Sequence, residues 1–144
     1  MPRVERMEID LALAIAMIDA AMAKANEINA PMSIAVLDHG ANLLAFSRMD
    51  GAELAGPNLA VDKAYTSVTN RIATAELRAR FAPDGDLPGM SANGNGRYIA
   101  FAGGIPCWDG DRVVGAIGVS GGSWDEDQVC AEAAIAVYEE AAAV

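Results

Sequence analysis

The sequence predicts an α+β fold, an antiparallel sheet with helices packed on it. Three features carry that expectation. Short β-branched runs come in pairs joined by turn residues, Asp38-His39-Gly40-Ala41 and Asp109-Gly110, as hairpins require. Alanine-rich stretches with apolar residues at helical spacing lie near both ends of the chain. The order of elements reads α-β-β-α-α-β-β-β-α, which gives a five-stranded antiparallel sheet rather than a doubly wound one. A single domain spans residues 1–144.

Taken in order, Asp10 is placed to N-cap a helix to about Ile28, with Leu11, Ile15, Ile18, Met22 and Ala25 as its buried stripe. Asn29 and Pro31 end it. Met32 to Leu37 and Asn42 to Met49 read as the first hairpin, broken by Asp50-Gly51. Gly56-Pro57 opens a second helix to about Asn70, with Pro57 where a missing N–H costs nothing. Thr74 is read as the cap of a short third helix, Ala75 to Phe81, stopped by Pro83. Asp84 to Gly96 reads as a surface loop, long enough to raise the prospect that it covers a site.

Arg97 to Ala102 reads as the third strand, and Gly103 to Ser120 as a hairpin that adds two more. Alternation along its second arm puts Val113, Gly115, Ile117 and Val119 on one face and Val114, Ala116, Gly118 and Ser120 on the other. Glycine weakens a strand, so Gly115 and Gly118 imply that another backbone, a helix or a ligand comes close. Ser123-Trp124-Asp125-Glu126 fits a capping box and starts the last helix, with Cys130, Ala134, Val137 and Ala141 inside.

Composition narrows the function. Hydrophobic residues make up 53% of the chain but aromatics only 6%, so the core is aliphatic. The net charge of −10, with no basic patch evident along the chain, argues against nucleic acid or an anionic membrane as partner. No segment has the ~20 apolar residues of a membrane span. The start lacks the features of a signal peptide, and a cytoplasmic protein is expected. Cys107 and Cys130 form no CxxC motif and read as buried thiols. No His, Cys and carboxylate cluster has zinc spacing, so no resident metal is expected.

Three segments resemble the GlcG/HbpS family. They are Ile34-Ala35-Val36-Leu37-Asp38-His39-Gly40-Ala41-Asn42-Leu43-Leu44-Ala45-Phe46-Ser47-Arg48-Met49-Asp50-Gly51-Ala52, then Ala60-Val61-Asp62-Lys63-Ala64-Tyr65-Thr66-Ser67, and the stretch Gly103 to Gly122 that ends Val-Val-Gly-Ala-Ile-Gly-Val-Ser-Gly-Gly. The resemblance implies a profilin-like sandwich that assembles into dimers or larger oligomers. It also implies a small-molecule ligand or cofactor, haem or a corrinoid, in an accessory protein of a catabolic pathway. The alternative is a cofactor-free lyase or isomerase acting on a small organic or aromatic acid.

Several residues can carry chemistry. His39, the lone histidine, stands at the first hairpin turn, where an axial haem ligand, a metal ligand, a general base and a polar turn residue compete for it. Lys63 sits mid-helix among apolar neighbours, where a lysine needs a partner or a site. It is expected to hold a carboxylate or phosphate, or else to form an ion pair. Arg48 is placed either to grip an anionic ligand or to pair with Asp38 or Asp50. Tyr65, Thr66, Gly103, Gly104 and Pro106 complete the expected ligand site. In the enzyme alternative Lys63 or Arg48 grips the carboxylate and His39 or Asp38 moves the proton. Ser120-Gly121-Gly122 precedes a helix N-terminus, but Asp125, Glu126 and Asp127 occupy its first turn, so it is not read as a nucleotide site.

Overall fold

In the computed structural model, which describes residues 1–143, an N-terminal segment leads into α1 (Leu11–Glu27), then β1 (Ser33–Asp38) and β2 (Leu43–Arg48). Next come α2 (Gly56–Asn70), a 3-10 turn at Thr74–Glu76 and α3 (Leu77–Phe81). After a loop with two further 3-10 turns follow β3 (Gly104–Asp109), β4 (Arg112–Ser120) and α4 (Trp124–Ala142). The strands form one antiparallel sheet in the order β2-β1-β4-β3. One face packs Ile34, Val36, Ile117 and Val119 against α1 and α4, and the other packs Leu37 and Ala116 against α2.

Two helix starts follow their local chemistry. Asp10 accepts the Leu13 N–H at 2.8 Å, and Ser123 and Glu126 make the reciprocal capping box. The inward face of α1 is rotated from the expected stripe and is built largely from small alanines. Ala14, Met17, Ile18, Ala21 and Ala25 are buried, whereas Leu11 and Ile15 are 56% and 46% exposed.

The sheet has four strands, not five. Residues 97–102 do not pair with a strand, because the Thr66 side chain on α2 takes their backbone groups. Thr66 Oγ1 accepts the Ile99 N–H at 2.9 Å and lies 3.2 Å from the Arg97 carbonyl. The Arg97 guanidinium meets Asp62 at 2.9 Å and lies 3.8 Å from the Tyr65 ring centre. Both sides of β4 are already filled by β1 and β3. Thr74 likewise does not cap a helix. Its Oγ1 accepts the Gly104 N–H at 2.9 Å and anchors the start of β3.

The central arm also departs from simple alternation. Cys107 pairs with Gly115 and Trp108 with Val113, so Val114 is an extra residue in β4. This bulge turns Val113 to the α2 side and Val114 to the α1 and α4 side. Ala35, Gly118 and Gly104 form one cross-strand row beneath α2. A Cβ on Gly118 would land on the Ala60 carbonyl oxygen, and one on Gly104 would meet the Lys63 carbonyl. The close neighbour of Gly118 is therefore the backbone of α2, whereas a Cβ on Gly115 would meet the Leu37 carbonyl of β1 and the Ile9 side chain.

Candidate functional site

Lys63 is fully buried beneath the last strand and the start of α4. Its ammonium donates to Asp127 Oδ2 and to the Val119 carbonyl, each at 2.8 Å, and lies 5.1 Å from the centre of the Phe101 ring. The other Asp127 oxygen accepts the Gly122 N–H at 2.9 Å. Burial lifts the Asp127 carboxyl above its ordinary range and draws Lys63 down, while their mutual attraction opposes both effects. Asp127 is thus turned inward, and only Asp125 and Glu126 of the first-turn acids are left to the helix end.

The remaining expected ligand residues are held by the fold in different places. Gly103 lies against the Lys63 side chain, Gly104 under α2, and Pro106 is buried opposite Ala116. Thr66 fastens residues 97–99, and Tyr65 stacks on Tyr98 with ring centres 6.0 Å apart. Arg48 is exposed at the end of β2 and joins neither Asp38 nor Asp50 among the ion pairs of the described residues.

His39 stands at the opposite end of β1 from Lys63. Lys63 reaches Val119, the partner of Ile34, and His39 lies five residues further on, about 16 Å at the rise of a strand. Asp38, His39 and Lys63 are therefore not gathered into one catalytic group. Asp38 instead builds the turn. Its Oδ1 accepts the Gly40 and Asn42 N–H groups at 2.9 Å, and its Oδ2 the Asn42 side-chain amide. Burial pushes its carboxyl up, but these hydrogen bonds outweigh it and hold the carboxyl below its ordinary value.

His39 is an exposed residue whose imidazole keeps 32% of its surface accessible, with Nδ1 3.7 Å from Glu8. It lines an open pocket of about 400 Å³ with Val4, Val68 and Val113 as apolar walls and Arg6, Arg71 and Arg112 around them. Asp111 completes the lining. This basic grouping is the feature that the linear reading misses. Its arginines come from the N-terminal segment, the end of α2 and the start of β4, so no local run announces it.

Comparison with known proteins agrees with this architecture. Residues 9–136 match the family described as haem degrading protein HbpS-like. The chain belongs to the HbpS-like family. An uncharacterised 15.0 kDa protein of the dhaT-dhaS intergenic region of Citrobacter freundii is 39% identical over 132 residues, 92% of this chain and 93% of that one. The corrinoid adenosyltransferase PduO of the same organism is 35% identical over 117 residues, 81% of this chain but only 35% of PduO. Among solved structures, a complex of PduOC with haem superposes with a TM-score of 0.88 at 29% identity, covering 91% of this chain and 95% of that one. No helix of the described residues is long and apolar enough to cross a membrane.

Proposed function

We propose that this HbpS-like chain binds a tetrapyrrole, haem ahead of a corrinoid, as an accessory protein of a catabolic pathway. One observation carries the reading: the lone imidazole lines an open pocket with valine walls that three guanidinium groups share. Haem needs an axial donor, apolar contact for its ring and cations for its carboxylates. His39 would supply the axial nitrogen, Val4, Val68 and Val113 the contact, and Arg6, Arg71 and Arg112 the charge. Glu8 lies beside Nδ1, which leaves Nε2 as the donor, and Asp38 holds the turn that aims it. Bound haem would bring a redox-active iron. The relative solved with haem, alike over nearly the whole chain, supports this reading.

Titration of the purified protein with haem tests it. A saturating Soret band that His39→Ala shifts or abolishes is expected. No spectral change on adding haem to the wild type would reject the proposal.

Self-association belongs to the same reading. Leu43 (55% exposed) and Phe46 lie on the edge strand β2, and Leu11 and Ile15 on α1 also face outward.

A further inference from the structure

The chain has a net charge of −10 and only eight arginines, yet three of them line the His39 pocket. None of the three meets a carboxylate within ion-pair distance among the described residues. Arg112 donates one hydrogen bond, to the Glu5 carbonyl at 2.9 Å. The acids nearby are Asp111 in the lining and Glu8 against His39. Arg6 and Arg112 also wall an adjoining depression that holds Glu5, Asp109 and Asp111, whereas Arg71 lines the basic pocket alone of these two.

A second observation concerns the backbone. Arg71 closes α2 with φ 56° and ψ 45°, the left-handed conformation in which glycine is the usual residue. Asn29, Ala41 and Asn95 take the same conformation, so it marks an ordinary turn of the chain, and at position 71 it lets glycine or asparagine replace the arginine without new strain. The side chain of Arg71 borders the pocket.

We infer that the pocket is a dianion site: its guanidinium groups recognise two acidic groups on one small ligand, and iron is not required. Guanidinium forks bind carboxylate and phosphate oxygens in pairs, which a single ammonium cannot do. The inference rests on the tetrapyrrole reading for its natural occupant, whose ring carboxylates are the two acidic groups. The recognition itself belongs to the arginines.

Because His39 is the only histidine, its imidazole C2 proton gives one NMR signal that reports on the pocket. Inorganic pyrophosphate added to the ligand-free protein should move that signal saturably, with chloride at equal ionic strength as the control. Arg71→Gly and Arg71→Asn both suit a left-handed backbone, so the fold survives. Each should weaken pyrophosphate binding about tenfold, the loss expected for one charge-assisted contact. Iron-free protoporphyrin should bind, and its dimethyl ester about tenfold more weakly. A wild-type signal that does not respond to pyrophosphate, or responds equally in the Arg71 variants, overturns the inference. So does equal binding of the porphyrin and its ester. A Soret band with haem under those outcomes would leave the tetrapyrrole reading standing. A pyrophosphate response without any Soret band would do the reverse.

Discussion

Arg71 shows how a single position can set stability against a site. A left-handed backbone costs a non-glycine residue about 1–2 kcal/mol, and glycine loses about 0.5–1 kcal/mol more chain entropy on folding. Arg71→Gly is therefore expected to stabilise the protein by up to about 1 kcal/mol, read as a higher urea midpoint. Lys63 lies at the other extreme. Removing one partner of a buried pair strands the other charge, so Lys63→Met should cost about 3–5 kcal/mol in urea unfolding, and Lys63→Met with Asp127→Leu should recover most of it. The pair also has a pH signature. The carboxyl, lifted in the fold, contributes stability that is complete below its unfolded pKa and is lost as pH rises through its folded one. The amine, drawn down, contributes stability above its unfolded pKa that is lost as pH falls through its folded one. Relative to the doubly apolar variant, wild-type stability should fall between acid and neutral pH and recover in strong alkali. The need of Lys63 for a partner was legible from its apolar helix neighbours. The partner was not, because Asp127 also fits the acidic first turn of its own helix.

At the scale of elements, α2 sets the geometry. It lies on a row of Ala35, Gly118 and Gly104 where the sheet presents almost no side chain, with Ala60 and Ala64 facing it. Gly118→Ala would drive a methyl group into the Ala60 carbonyl, so the helix must lift from the sheet. The expected loss is about 3 kcal/mol or more in urea unfolding, at the upper end of overpacking. The glycines of β4 announced close neighbours in the sequence, though not that the α2 backbone fills the space at Gly118 and the Leu37 carbonyl and Ile9 fill it at Gly115. Residues 97–102 read as a strand because Tyr98, Ile99 and Phe101 suit one. Their fate was decided by Thr66, whose hydroxyl is spatially adjacent and remote in sequence. The bulge at Val114 was hidden for a related reason, since pairing register depends on the partner strand.

Across the whole molecule, charge and apolar surface are unevenly spread. The acidic chain gathers three arginines without an ion pair among the described residues at one end of the sheet and leaves Leu11, Ile15, Leu43 and Phe46 exposed elsewhere. Burying such side chains between copies is favourable at about 25 cal/mol per Å² of apolar surface. Light scattering coupled to size exclusion should therefore give a mass of at least two chains. A mass of one chain would reject self-association.

The sequence by itself determined the α+β class, the two hairpins, the capped helices, the family resemblance and an internal lysine in need of a counterpart. These rest on periodicity, turn chemistry and short motifs, all of which act between residues close along the chain. Tertiary structure alone decided the strand count, the register of β4, the Lys63–Asp127 pair and the basic pocket at His39. Each of these depends on groups tens of residues apart meeting in space, and only the packing of α2 and the N-terminal segment against the sheet brings them together.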